Sequence, residues 1–176
     1  MAIYTVGHST YPIDDFLALL RAHEVRSLVD VRTIPGSRRH PQFAQQQLAS
    51  VLEDEGITYL HLPSLGGLRK PASDSTNLGW KNPGFRAYAD HMATEEFEVG
   101  LQQLVRLADE RPVAVMCAEA LPWKCHRSLL SDALVARGIA VLHIMSTEQV
   151  KAHRLTAFAR VEGMQVSYPG ELKLDL

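Results

Sequence analysis

Val113-Ala114-Val115-Met116-Cys117 carries no charged or amide side chain, and after seven intervening residues the chain reads Cys125-His126-Arg127-Ser128. A strand that is apolar on both faces belongs in the middle of a parallel sheet with helices covering each side. The spacing predicts a helix from about 126 to 137, ended by Gly138, and then a fifth strand, Ala140-Val141-Leu142-His143-Ile144. Strand, turn, helix and strand in this order make a crossover unit of a parallel sheet.

The same alternation extends towards the N-terminus. Ile3-Tyr4-Thr5-Val6 is a β-prone run stopped by Gly7, and Phe16, Leu17, Leu20 and Ala22 recur at helical spacing after Asp14 or Asp15. Ser27-Leu28-Val29-Asp30-Val31-Arg32 reads as a second strand. A helix is expected over about 41–55 with Gly56 as its stop, and Ile57-Thr58-Tyr59-Leu60-His61-Leu62 as a third strand. Residues 63–83 show no period, and a loop of this length in a compact domain is usually functional or mobile. Helices are expected at about 84–92 and 94–109, the second capped by Thr94 with Glu95 and Glu96 in its first turn. The last 26 residues read as a short helix and a tail. The expected architecture is one three-layer α/β domain spanning 1–176, with a mainly parallel central sheet of about five strands, helices on both faces, and 151–176 packed on it as an extension.

Composition narrows the class. At 176 residues and 46% apolar content the chain suits a single globular core. No apolar run approaches the roughly 18 residues of a membrane span, and Met1-Ala2-Ile3-Tyr4-Thr5-Val6 has no signal-peptide pattern. Two cysteines are too few for a disulfide framework, so Cys117 and Cys125 read as reduced thiols, metal ligands or a redox pair in a cytoplasmic protein. A net charge of −2 gives no general attraction to nucleic acid or membrane, so any anion preference must be local.

Ligands of open parallel sheets bind beyond the carboxyl ends of the strands, and the chemically capable residues cluster at those ends. Strand one leads to His8 and Ser9, strand two to Asp30 and Arg32, strand three to His61, and strand four to Cys117 and Glu119 and then Cys125-His126-Arg127-Ser128. Free amides at the start of the last helix favour anions, Arg127 adds a planar fork, and the same partial charge favours a thiolate at Cys125. Each residue also has a plain structural role open to it. Cys117 suits a core, Asp30 and Arg32 share one face as an ion pair, and Glu119 could pair with Arg127 or Arg32.

Tyr4-Thr5-Val6-Gly7-His8-Ser9, Leu28-Val29-Asp30-Val31-Arg32 with Pro35 and Ser37, and His61-Leu62-Pro63-Ser64-Leu65-Gly66-Gly67 resemble successive signatures of the domain-of-unknown-function 488 (DUF 488) family. Met116-Cys117-Ala118-Glu119, Pro122-Trp123 and Cys125-His126-Arg127-Ser128 do so as well, and the resemblance reaches His143 and, faintly, Ser167-Tyr168-Pro169-Gly170. It implies an α/β fold and candidate residues, and no reaction. A weaker similarity is to rhodanese-like domains and related cysteine phosphatases, through Asp30-Val31-Arg32 and Cys117 with Arg127-Ser128. Those enzymes wrap a shorter loop between cysteine and arginine than the nine residues between Cys117 and Arg127.

Three functions remain open on these residues. The first is an enzyme for a small anionic or nucleotide-like ligand, with Cys125 or Cys117 as nucleophile, His8 or His126 as base and Glu119 as orienter. Arg127, Arg32, Ser128 and Ser9 would hold the anion. The second is a zinc or iron site drawn from His8, His61, Cys117, Cys125 and His126. The third is a nucleic-acid or nucleotide-binding module using Arg38, Arg39, Arg69, Lys70 and Lys124 beside Trp80 and Trp123.

Overall fold

The structure, a computed structural model, describes residues 1–170. Five strands run parallel: β1 (Ala2–Gly7), β2 (Ser27–Asp30), β3 (Thr58–His61), β4 (Val113–Cys117) and β5 (Ala140–Ile144). A sixth, β6 (Val150–Ala152), is antiparallel to β5, and the sheet order is β3-β2-β4-β1-β5-β6. The helices are α1 (Ile13–Ala22), α2 (Gln45–Asp54), α3 (Pro83–His91), α4 (Glu95–Glu110) and α5 (Arg127–Ala136).

β4 shows why this is a three-layer α/β fold. Its five residues are all buried, and alternate ones serve opposite faces. Ala114 and Met116 pack with Val6 and Leu28 against Phe16, Leu20, Leu48 and Leu52 of α1 and α2. Val113, Val115 and Cys117 pack with Ile3 and Val29 against Phe97, Leu101, Leu129 and Leu130 of α4 and α5. Each large apolar side chain removed from water in this way contributes about 1.5–3 kcal/mol. Helix starts follow local chemistry. Asn82 accepts from the amides of Gly84 (2.8 Å) and Phe85 (3.2 Å) ahead of α3, and Thr94 accepts from Phe97 ahead of α4.

The strand order opens a crevice at the carboxyl ends of the strands. β1 and β4 are neighbours, yet β1 leads into α1 on one face and β4 leads into α5 on the other. The two outgoing loops diverge, and a crevice opens between the carboxyl ends of β1 and β4.

Two expectations are corrected. The helix expected over 41–55 is broken at Ala44, whose φ −62° and ψ 143° are extended, into a 3-10 turn at Pro41–Phe43 and then α2. The break lets Phe43 stack under His8 with centroids 4.3 Å apart and meet Phe16 edge-on at 5.1 Å. The short helix expected in the last 26 residues is replaced by β6 and a hairpin of β7 (Arg160–Glu162) and β8 (Gln165–Ser167). The end of the expected tail, 171–176, lies outside the described residues.

The reason for the second correction is a buried polar chain that bolts residues 150–168 to α5. Asp132 of α5 accepts from the Tyr168 hydroxyl at 2.7 Å, the Thr156 amide at 3.0 Å and His153 Nε2 at 2.7 Å. His153 Nδ1 lies 2.9 Å from His143 Nε2, His143 Nδ1 lies 2.6 Å from Thr5 Oγ1, and Thr5 Oγ1 accepts from Arg127 at 3.1 Å. A guanidinium only donates and a carboxylate only accepts, so the chain runs in one direction from Arg127 to Asp132. Asp132→Ala is expected to lower the unfolding free energy by about 3 kcal/mol in denaturant titrations, because it orphans three buried donors. A loss under about 0.5 kcal/mol would contradict the role given to the carboxylate.

A pH dependence follows from the same burial. Desolvation lowers His143 to about 3 and His8 to about 4, against 6.5 for an unperturbed histidine. Below about pH 6.5 the unfolded chain therefore binds protons that the folded chain refuses, and stability falls with pH through that window. Urea midpoints are expected to drop steadily between pH 7 and pH 4.5. A midpoint that is flat there would contradict the neutral assignment of both rings.

Candidate functional site

The site is built where β1 and β4 run on side by side past their last formal pairs. The His8 amide donates to the Cys117 carbonyl and the Ser9 amide to the Ala118 carbonyl, each at 2.9 Å. This approach requires glycine at position 7, because a Cβ there would collide with the Glu119 carbonyl oxygen. That carbonyl is held in turn by Arg127, whose Nη2 donates to Glu119 O at 2.6 Å and to Ala120 O at 3.2 Å. Arg127 is only 1% exposed. Its fork braces the loop between the cysteines from behind and does not line the cavity in front.

The braced loop brings the two cysteines together. It passes through a 3-10 turn at Pro122–Lys124 and delivers Cys125 just ahead of α5, with the two sulfurs 3.0 Å apart. Both are free thiols, 2% and 7% exposed for Cys117 and Cys125. They are not equivalent. Cys117 ends a buried strand, and burial pushes its thiol well up. Cys125 is held well below the ordinary thiol range, first by the hydrogen bond from Cys117 and then, against its own burial, by His126 and the Arg127 amide. His126 Nδ1 and the Arg127 amide each lie 3.5 Å from Cys125 Sγ. The arrangement is one thiolate and one thiol sharing a proton, at the start of a helix where the backbone favours negative charge.

His126 is placed by packing. Its ring lies 4.9 Å from that of Tyr88, whose hydroxyl donates to the Leu65 carbonyl at 3.0 Å. Gly67 passes so close to the imidazole that a Cβ there would overlap Nδ1. Tyr88 and Gly67 thus fix the ring that faces the thiolate.

The second edge of the crevice comes from β2. Asp30 and Arg32 form a buried bidentate pair, Nε to Oδ1 at 3.0 Å and Nη2 to Oδ2 at 2.7 Å, and the Tyr59 hydroxyl donates to Asp30 at 2.6 Å. Nη1 of Arg32 is left facing His8 Nε2 at 3.4 Å. His8 Nδ1 lies 2.9 Å from the Ser9 carbonyl and so carries the proton, which leaves Nε2 as an acceptor at the cavity wall.

These groups line a cavity of about 610 Å³ that includes His8, Arg32, Cys117, Glu119, Cys125 and His126. Arg38, Arg39 and Lys124 add positive charge at its walls, and Ile34, Leu68 and Phe85 give it an apolar side. Several residues singled out in the sequence lie elsewhere. His61 Nε2 donates to the Arg32 carbonyl at 2.8 Å, Ser128 donates to the Cys125 carbonyl at 3.1 Å, and Ser9, in the left-handed region with φ 46°, does not line the cavity. Arg69 pairs with Glu96. Trp80 packs with Phe85, Phe158 and Tyr168, and Trp123 lies under Lys151 beside a separate cavity of about 340 Å³. Among the described residues no three His, Cys, Asp or Glu side chains converge as a metal site, so His8, His61, Cys117, Cys125 and His126 do not form one ligand set. Tyr59, Tyr88 and Phe85 were not legible as site residues, since each sits in an ordinary apolar pattern and acts only through contacts distant in sequence.

The family comparison covers most of this machinery. The model described as "Domain of unknown function DUF488" matches residues 12–134, which include Asp30, Arg32, Cys117, Cys125 and His126, while His8 precedes the matched span. No curated protein and no solved structure matches the chain. With more than half of its 176 residues matched, and with the α/β sheet and strand-end cysteines in place, this chain belongs to the DUF488 family.

Proposed function

We propose that the chain is a thiol-dependent enzyme for a small anionic substrate, with Cys125 as its nucleophile. The observation that carries this reading is the Cys125 sulfur, 3.0 Å from a second thiol, on the wall of a cavity that also holds Arg32, Arg38, Arg39 and Lys124. A cavity of about 610 Å³ is of the size that encloses a small organic molecule. Its apolar side suits a carbon skeleton, and its arginines suit a carboxylate or phosphate.

The roles follow from the geometry. Cys117 donates to the Cys125 thiolate and keeps it ionised, and His126 and the Arg127 amide do the same from the helix side. Arg32 offers Nη1 to the anion while Asp30 and Tyr59 hold its other edge still. Neutral His8 is the base for a proton lost by the substrate or an attacking water. In the attack, the Cys125 lone pair forms the new bond and the leaving group departs with the bond pair and takes up a proton.

Two measurements test this reading. Iodoacetamide should alkylate Cys125 at a rate that stays level from pH 8 to about pH 5, and millimolar phenyl phosphate should slow it at least about fivefold. A rate that falls tenfold per pH unit below pH 8 would mean an ordinary thiol and would remove the nucleophile. In Gly67→Ala the displaced imidazole should raise the midpoint of the alkylation profile by about one pH unit or more. An unchanged profile in a folded variant would show that His126 does not support the thiolate.

A further inference from the structure

We infer that Cys117 and Cys125 act as a two-electron reductant of organic hydroperoxides that carry a carboxylate, closing to a disulfide in each cycle. The inference rests on the thiol-nucleophile reading above and names its substrate class. The only two cysteines of the chain come from separate elements, one ending β4 and one preceding α5, and their sulfurs meet at 3.0 Å. A disulfide bond is about 2.05 Å long, so closure needs a sulfur movement of only about 1 Å. A thiol at this distance supports the Cys125 thiolate by its hydrogen bond, and it is also placed to resolve an oxidised Cys125 by closing a disulfide.

The choice of oxidant follows from which redox state the site stabilises. Cys117, His126 and the Arg127 amide all lie within hydrogen-bonding reach of the Cys125 sulfur and favour the reduced thiolate. Stabilising the reduced form makes the disulfide oxidising and easily reduced, as in strongly oxidising thiol pairs generally. Such a pair reduces ordinary disulfides poorly. It can still be oxidised by a peroxide, whose weak O–O bond supplies the driving force, and it is readily restored by a low-molecular-weight thiol. The cavity then selects the peroxide. Ile34, Leu68 and Phe85 receive a hydrocarbon body, and Arg38 and Arg39 receive a carboxylate.

The steps balance. The Cys125 thiolate attacks the terminal oxygen of ROOH, the O–O bond breaks, and Cys125 becomes a sulfenic acid while RO⁻ takes a proton from solvent to leave as ROH. The Cys117 sulfur then attacks the Cys125 sulfur, the S–O bond breaks, and hydroxide leaves with the Cys117 proton as water. The sum is two thiols and ROOH giving a disulfide, ROH and H₂O. Two molecules of a small thiol return the pair to its starting state and leave as their own disulfide.

The test treats the full chain with linoleic acid hydroperoxide and with uncharged cumene hydroperoxide, and reads intact mass and free thiols with time. Wild type is expected to lose two hydrogens and both thiols as a monomer, at least about tenfold faster with the carboxylate-bearing peroxide. Cys117→Ser should stop at a sulfenic acid that dimedone captures on Cys125, and Cys125→Ser should remain unreacted. Arg38→Ala with Arg39→Ala should bring the rate with linoleic acid hydroperoxide down to that with cumene hydroperoxide. Wild type oxidised no faster than Cys125→Ser, accumulation of sulfinic acid in place of the disulfide, or equal rates with the two peroxides would each overturn the inference. The iodoacetamide profile separates the two levels. Rapid alkylation at pH 5 with protection by phenyl phosphate, but no peroxide-driven disulfide, sinks this inference and leaves the thiol enzyme standing; slow alkylation sinks both.

Discussion

Arg127 is a cation sealed inside the protein, and much of the site is arranged around how its hydrogen bonds are met. One nitrogen holds the carbonyls of Glu119 and Ala120, and another reaches Thr5 in the first strand. No carboxylate pairs with it among the described residues. A buried charge without such a partner is costly, and here it is offset by the Glu119 and Ala120 carbonyls and the Thr5 hydroxyl that accept from its fork. Its charge opposes the upward shift that burial imposes on Cys117, its backbone amide supports the ionised Cys125, and its side-chain hydrogen bonds fix the loop that carries Cys125. Charge compensation and site geometry are therefore one constraint.

That constraint reaches in two directions. Forward, it sets the course of residues 118–126, and the approach of Gly7 to Glu119 locks this loop to the first strand. Backward, it begins the polar chain through Thr5, His143 and His153 to Asp132, which anchors Tyr168 and the C-terminal hairpin. The residues beyond β5 thus complete the hydrogen bonding of α5. Each link from Arg127 Nη1 through Thr5, His143 and His153 to Asp132 is hydrogen-bonded, which ties the order of the C-terminal segment to that of the site, while Arg127 Nε is buried without a partner.

The two sides of the cavity contribute different physics. The β4 side supplies the thiol pair proposed as the source of the nucleophile, while the β2 side supplies a rigid cation through Asp30, Tyr59 and Arg32. His8 stands between them, made neutral by burial and stacked on Phe43, which is available only because Ala44 interrupts the expected helix. A break that costs helix hydrogen bonds is thereby repaid in aromatic contact under a site residue.

Periodicity and apolar runs by themselves determined the five parallel strands, the helices after them and the strand ends at which the polar side chains gather. These features depend on local patterns that burial imposes directly on sequence. Val113–Cys117 could only be a central strand, and Thr94 could be read as a cap from its neighbours. What only the tertiary structure decided is which of the polar residues at the strand ends meet. Arg127 looked like an anion fork and became a brace, His61 went to a backbone carbonyl, and two cysteines eight positions apart came to 3.0 Å. The C-terminal strands were likewise invisible, because their order comes from Asp132 and Tyr168, 36 positions apart, and not from their own sequence. Contacts between distant residues leave no local period, and a charged side chain reads the same whether it faces solvent, a carbonyl or a substrate.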